Sequence, residues 1–281
     1  KRLPCVAWDG LLNPFAGASP ERQSRAGPKR VDVLMIAHPR PLDTRTLYAI
    51  DQFVRRGGHV LAFVDPQSEV SLTAGPNGDP VRGYTEQSDL GPLLESWGVN
   101  YDPTEIVGDR AIAQRVRTGL DARRQESDYV IWLAVPRENV DTNDIVTSDV
   151  ARLNLGTAGH FTPVEGATTV FSPLVYSSED AQLYDVEYVK GGPKPDDLLR
   201  NFDPAGKRFT IAARLSGPVD SAFEGPVDEA PVAPEGAQSP RKSQDKAPSY
   251  MAQSEKDANI IVFAESDIFD DRLWVRTASY L

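Results

Sequence analysis

The stretch from residue 31 to 66, VDVLMIAHPRPLDTRTLYAIDQFVRRGGHVLAFVDP, decides the fold of this chain. Its first seven residues, Val31 to Ala37, are almost all apolar, which is typical of a β-strand covered on both faces. The next apolar positions recur at helical spacing, with Asp43 or Thr44 as the N-cap and a Gly-Gly pair at the end. Residues 60–64 are again apolar. Strand, helix and strand in this order predict a βαβ unit with two parallel strands.

Helical and strand patterns continue to alternate after this unit and return near the end of the chain. The phrase LLESWGV at 93–99 is typical of a helix followed by a strand, and IIVFA at 260–264 indicates another buried strand. We therefore expect an α/β fold with an open, mostly parallel sheet.

The chain divides into three parts by composition. We assign residues 1–127 and 258–281 to the sheet domain. Residues 128–217 are rich in strand patterns, which predicts a β-rich insertion or a second subdomain. Residues 218–257 contain many prolines and few aromatic residues. Such a segment has too little apolar surface to order itself, so we expect a disordered linker there.

The net charge and the cysteine content bear on two points, the type of binding partner and the formation of disulfides. The 281 residues carry a net charge of −11, and this acidity argues against nucleic acid or an anionic membrane surface as the main partner. Cys5 stands alone in the chain, so no internal disulfide can form. The sequence starts without methionine directly before a strand-like run at Leu3 to Trp8, so we expect a piece of a longer protein.

Polar residues follow three of the expected strands. In an open parallel sheet, ligands bind outside the carboxyl ends of the strands. If these strands are neighbours, their polar residues meet at one exposed edge and form a site for a small ligand or a peptide. The alternative is that they are turn residues whose carboxylates accept backbone N–H groups. The candidates are His38, Arg40, Asp65, Gln67, Ser266 and Asp267.

Two further polar residues, Asp51 and Gln52, lie among the apolar positions of the expected helix. They are positioned to face a groove or a second domain. A simpler interpretation is a solvated helix face, on which Asp51 pairs with Arg55 one turn later.

Metal and nucleotide sites are not predicted. The histidines at 38 and 59 lie at opposite ends of the expected sheet, and no spacing of Cys and His is typical of a metal site. Asp267 with Asp270-Asp271 offers a surface cation site, although a solvated acidic loop explains the same residues. Gly57-Gly58 follows a helix, whereas a phosphate-binding loop follows a strand. We expect no cofactor, no metal and no catalytic residue.

Six phrases of the sequence resemble one known family, the auxiliary component of gliding-motility-type ABC transport systems. They are VDVLMIAHP at 31–39, LYAIDQFV at 47–54, GG at 57–58, FVDP at 63–66, LLESWGV at 93–99 and VFAESD at 262–267. The resemblance implies a fold like that of flavodoxin or class I glutamine amidotransferases. It also implies an extracytoplasmic (periplasmic) domain of a membrane-anchored bacterial protein that associates with an ABC permease and an ATPase.

The chain departs from this family in two regions. The last strand ends in Ala264-Glu265-Ser266-Asp267, where members often have a Gly-Asp-Ser-type turn. Members also usually have a helix and another strand between the first strand and the strand that ends at His38. Residues 11–30 are too short and too rich in proline and glycine to hold both. Either the unit is lacking, or part of the chain is absent.

The leading functional prediction is a non-enzymatic extracytoplasmic subunit that recognises a partner protein, a glycan or a small ligand. The alternative is a hydrolase or amidotransferase-like enzyme that uses His38, Asp65 and Asp267, although no Gly-x-Ser-x-Gly turn accompanies them. A third interpretation is an assembly module whose β-rich middle pairs with another copy. Of the candidates, we expect His38, Arg40 and Asp65 to be the most exposed.

Overall fold

The computed structural model describes residues 31–69, 87–118, 125–227 and 249–274. These parts contain four α-helices, twelve β-strands and three short 3-10 helices. The α-helices are α1 (Thr44–Arg55), α2 (Pro92–Ser96), α3 (Val186–Lys190) and α4 (Pro195–Arg200). The strands are β1 (Val33–Ala37), β2 (His59–Phe63), β3 (Val99–Tyr101), β4 (Glu105–Asp109), β5 (Ala113–Thr118), β6 (Gln125–Pro136), β7 (Arg152–Leu155), β8 (Phe161–Pro163), β9 (Val170–Tyr176), β10 (Ala181–Asp185), β11 (Thr210–Gly217) and β12 (Ala258–Phe263). The 3-10 helices are Arg137–Asn139, Asp267–Phe269 and Asp271–Leu273.

The main sheet has the strand order β1-β2-β12-β11-β8-β3, and β9 also pairs with β11. β1 pairs with β2, and β2 with β12, in parallel. The other pairs of this sheet are antiparallel. The α/β class and the parallel pair of the βαβ unit are therefore confirmed. The expectation of a mostly parallel sheet is wrong, because parallel pairing is confined to three strands. The likeness to flavodoxin stays a prediction.

The sheet is covered on both faces, as the apolar runs of its strands predict. Along β12, Ile260 and Val262 point into one core cluster, while Ile261 and Phe263 contact the other. The first cluster includes Phe53 of α1 and the buried residues of α2 and its end. The second includes residues of β4, β6 and β7. Alternate residues of one strand thus stabilise two layers.

Two smaller sheets complete the described fold: β4 pairs with β10, and β6 pairs with β5 and β7. Strands β8, β9 and β11, which come from residues 128–217, pair within the main sheet itself. The division into domains stays a prediction.

Local signals explain where most elements begin and end. Asp43 caps α1 by accepting a hydrogen bond from Thr46 N at 2.7 Å. Gly57 follows the helix with a φ of +84°, a conformation that glycine adopts without steric cost. The alternating residues 182–189 predict one edge strand, but the strand ends at Asp185. The Asp185 carboxylate accepts Glu187 N and thereby starts α3.

Several expectations concern residues that lie outside the described ranges or directly beside them. The strand expected at Leu3 to Trp8, with Cys5, lies outside them, as do residues 228–248 of the expected linker. The two flanks of that segment, 218–227 and 249–257, are described, and Val219 is buried. Among the described helices, none has the length and apolar character that crossing a membrane requires.

Candidate functional site

The carboxyl ends of β1, β2 and β12 meet at one edge of the sheet. Ala37 lies opposite Phe63, which in turn lies opposite Phe263, so the three strands end at the same level. The residues that follow them are therefore neighbours, although they are far apart in the sequence. The convergence expected for these strand ends is present in the structure.

A chain of hydrogen bonds joins the first residues beyond each strand. Ser266 donates its hydroxyl to Asp65 Oδ2 at 2.7 Å, and the Ser266 N–H donates to the same oxygen at 2.8 Å. His38 Nδ1 lies 3.0 Å from Ser266 Oγ. Since the single hydroxyl proton of Ser266 is directed to Asp65 Oδ2, the Nδ1–H of His38 donates to Ser266.

Most of these candidates are buried, which corrects the expectation of an exposed edge. Arg40 is exposed, but Asp65 has no exposed surface and the side chain of His38 is nearly inaccessible. Gln67, Ser266 and Asp267 are buried as well. These residues are covered by loops that the sequence pattern does not place at this edge.

Two loops cover the edge. In the first, Ser68 Oγ donates to Asp267 Oδ1 at 2.6 Å and the Glu69 N–H donates to Asp267 Oδ2 at 2.5 Å. In the second, Thr157 Oγ1 donates to the carbonyl of Gln67 at 2.5 Å. The carboxylates thus accept backbone and hydroxyl hydrogen bonds, as the turn interpretation of the sequence expects.

The residues Asp65, Glu265 and Asp267 form a group that we call the carboxylate cluster. One oxygen of each lies within 4.8 Å of the others, and all three residues are buried. The sequence patterns singled out Asp65 and Asp267 but missed Glu265. Its position directly after the buried strand that ends at Phe263 is the sequence feature that could have identified it. The surface group expected from Asp267 with Asp270-Asp271 does not form among the described residues, because Asp267 is buried and faces Asp65 and Glu265 instead.

Burial makes negative charge unfavourable in this cluster. It raises the pKa of Asp65 well above its usual value, and the charge of Asp267 adds to this, while hydrogen bonds from Ser266 and Gln67 oppose it. Burial also raises the pKa of Glu265, and the charges of Asp65 and Asp267 raise it further, while backbone hydrogen bonds from Ile268 and Gly156 oppose this. A proton or a cation therefore stabilises the cluster.

Several buried oxygens beside the cluster have no hydrogen-bond partner within the described parts of the chain. They are Glu265 Oε1, Gln67 Oε1, Ser88 Oγ and the hydroxyl of Tyr101. Ser88 is tied to Asp65 by a backbone hydrogen bond of 2.8 Å. Burial, followed by the charge of Asp65, raises the pKa of Tyr101. Two of these groups, Ser88 and Tyr101, carry hydroxyls that can also donate, whereas Gln67 Oε1 can only accept.

The two helix candidates lie elsewhere and are buried under the chain itself. Asp51 accepts hydrogen bonds from Ser221 Oγ at 2.9 Å and Ala222 N at 3.1 Å. Gln52 Oε1 accepts Met251 N at 2.8 Å. The solvated pair of Asp51 with Arg55 is not formed, because Arg55 is buried and donates to two backbone carbonyls instead. These residues attach the flanks of the expected linker to α1.

Comparison with known proteins places nearly the whole chain in one family. No curated protein matches the sequence. A family model described as "ABC-type uncharacterized transport system" matches residues 16–280, which is nearly the whole chain. The chain therefore belongs to this family and is an auxiliary component of an ABC-type transport system.

Proposed function

We propose that this protein is a non-enzymatic, extracytoplasmic subunit that associates with the permease and ATPase of its ABC-type transport system and recognises a partner protein. The family match over residues 16–280 carries this proposal. The resemblance of the six sequence phrases to gliding-motility-type auxiliary components supports the extracytoplasmic location. A recognition subunit needs an accessible surface that a partner protein can cover.

The described residues offer such a surface next to the carboxylate cluster. Phe269 and Trp274 follow β12 and are 53% and 45% exposed, although large aromatic side chains are usually buried. Arg40 is exposed beyond β1, which ends at the same edge of the sheet. Aromatic residues and arginine are enriched at the centres of protein interfaces. We assign partner recognition to this surface and call it the aromatic edge.

The hydrogen-bonded set His38, Ser266 and Asp65 favours the enzyme alternative at first sight. In a serine triad, however, the histidine lies between the serine and the acid. Here Ser266 lies between His38 and Asp65. Ser266 is also buried, and its backbone angles of φ −113° and ψ −17° are not those of a strained nucleophile turn. This order supports a structural role for the three residues.

The test is a pull-down of the full-length protein from its native membrane in mild detergent. We expect the permease and the ATPase to be recovered with the native protein. The double variant Phe269→Ala/Trp274→Ala should lose most of this recovery, because it removes the exposed aromatic groups. Tyr188→Ala is the matched control, since Tyr188 is a 47% exposed aromatic residue of α3. Recovery of neither component with the native protein contradicts the proposal. Equal recovery with both variants contradicts the assignment to the aromatic edge.

A further inference from the structure

The carboxylate cluster is not used by the proposed function. Two of its members, Asp65 and Glu265, are completely buried. Neither forms an ion pair with a Lys, Arg or His in the ranges that the structure describes. Buried carboxylates are normally paired with a cation or coordinate a metal, because burying an isolated charge is very unfavourable. Asp65 and Glu265 therefore need either a proton or a cation, and no described basic side chain is paired with them.

A second observation points to the place of that charge. Glu265 Oε1 is buried and has no hydrogen-bond partner, while Glu265 Oε2 accepts Ile268 N at 2.9 Å. Gly156 lies beside the Glu265 carboxyl, and its backbone N–H lowers the pKa of that carboxyl. A Cβ added at Gly156 would lie 3.7 Å from both Glu265 Oε1 and Asp267 Oδ2. The missing side chain leaves space beside two oxygens of the cluster.

We propose that Asp65, Glu265 and Asp267 bind one divalent cation, with calcium preferred over magnesium. The ligands are all carboxylate oxygens, which hard cations prefer. Two ligands on opposite sides of a calcium ion lie about 4.8 Å apart, since each Ca–O distance is roughly 2.4 Å. The three oxygens lie within 4.8 Å of one another. This spacing suits the longer Ca–O bonds better than the Mg–O bonds, since magnesium has shorter bonds and stricter geometry.

The hydrogen bonds around the cluster hold the carboxylates in place for such an ion. Gln67 N donates to Asp65 Oδ1 at 2.8 Å, and Ser266 donates to Asp65 Oδ2. A carboxylate has about four lone-pair sites, so an oxygen that accepts one hydrogen bond can also bind a cation. Groups that orient metal ligands in this way contribute to metal affinity. The ion would fasten the ends of β2 and β12 to each other. This inference does not depend on the proposed function.

The first test measures cation binding to the full chain after removal of metals with EDTA. Calcium, magnesium and manganese chlorides are titrated separately by calorimetry, and thermal unfolding is followed at each concentration. We expect one calcium ion per chain and a Tm that rises with calcium concentration, because the ion binds the folded state. Neither heat nor a Tm shift with any cation up to roughly 10 mM, above the range of weak extracellular calcium sites, would overturn the proposal.

Variants then locate the ion. Glu265→Gln keeps the shape of the side chain but removes its charge, and should weaken calcium binding at least tenfold. In EDTA this variant should have a Tm equal to or above that of the native protein, because it buries one charge fewer. Gly156→Ala adds a Cβ at ordinary contact distance and should also weaken binding.

Asp109→Asn is the matched control, since Asp109 is a buried carboxylate that belongs to no such cluster among the described residues. It should bind calcium as the native protein does. Native affinity in both Glu265→Gln and Gly156→Ala would place the ion elsewhere and overturn the assignment. The Gly156→Ala result decides the question if Glu265→Gln does not fold.

Discussion

His38 has a left-handed backbone conformation, with a φ of 44°. It is the sole non-glycine residue with positive φ in the parts of the chain that the structure describes. Its N–H donates to the Phe63 carbonyl at 2.9 Å, and its imidazole contacts Ser266. These contacts hold a conformation that costs roughly 1–2 kcal/mol for a residue with a Cβ.

We predict that glycine is more stabilising than alanine at position 38. His38→Ala loses the imidazole contact and keeps the strain of the Cβ, whereas His38→Gly loses the same contact but relieves the strain. The free energy of unfolding of His38→Gly should exceed that of His38→Ala by about 1 kcal/mol. Urea denaturation measures both variants. The conformation assigned to His38 would be contradicted if the alanine variant were equally stable or more stable.

The sequence predicts the members of the site better than their environment. Asp65, Ser266 and Asp267 could be found because parallel strands place their carboxyl ends together. Their burial could not be predicted, since the covering residues Ser68 and Thr157 belong to loops without a periodic pattern. Glu265 was missed because a carboxylate next to a strand end is usually solvated. Only the pairing of β2 with β12 brings it beside Asp65.

At the scale of elements, α1 shows how a polar helix face can be buried by distant segments. Arg55 is 2% exposed and donates from Nη1 to the Val219 carbonyl at 2.7 Å and from Nε to the Met251 carbonyl at 2.9 Å. The sequence predicted the helix correctly, and Asp43 was one of its two expected caps. It did not predict this face, because an Asp51–Arg55 spacing is equally typical of a solvated helix surface.

We predict that Arg55 attaches both flanks of the 218–257 segment to α1. Arg55→Ala should lower the free energy of unfolding by roughly 3 kcal/mol, because two charge-assisted hydrogen bonds are lost. Arg56→Ala is the control from the neighbouring position. Its guanidinium donates to Ser249 and to the Gln52 carbonyl at a more exposed site, so the loss should be about 1 kcal/mol or less. Equal losses in urea denaturation would contradict this difference.

At the scale of the whole molecule, the direction of strand pairing was the least predictable feature. An apolar run such as the one in β11 indicates a strand buried on both faces. The run does not show whether the neighbouring strands are parallel or antiparallel. The parallel pair of β1 and β2 could be predicted because a helix of twelve residues connects them. β11 pairs antiparallel with both β12 and β9. These pairings join segments separated by long connections, which leave no local signal.

The stability of the molecule also depends on pH through carboxylates of two kinds. Burial raises the pKa of Asp109 above its ordinary value of 3.8, although hydrogen bonds from Ser178 and the backbone oppose this. Hydrogen bonds from Arg214 lower the pKa of Asp144 below the same ordinary value. Arg214 donates to both oxygens of Asp144, at 2.6 and 2.7 Å. The two carboxylates therefore respond to pH in opposite directions.

We predict that each carboxylate contributes to stability in a different pH range. The folded state holds the Asp109 proton more tightly than the unfolded state, so its contribution is complete below its ordinary pKa and is lost as the pH rises through the raised pKa. The Asp144 contribution is complete above its ordinary pKa and is lost as the pH falls through the lowered pKa. As the pH rises above the ordinary pKa of an aspartate, Asp109→Asn should therefore lose less stability than the native protein does.

Asp144→Asn should instead flatten the loss of stability in acid. At pH 7 it should lower the free energy of unfolding by about 1–2 kcal/mol, because the partly buried bidentate pair with Arg214 is broken. This difference from the native protein should shrink as the pH falls below the ordinary pKa of Asp144, where the native carboxylate also becomes neutral. Urea denaturation of both proteins between pH 7 and roughly pH 2 measures the effect. The stabilising contribution of the Asp144 charge should disappear at a pH below both its folded and its unfolded pKa. A difference that stays constant over this range would mean that the charge of Asp144 does not stabilise the fold.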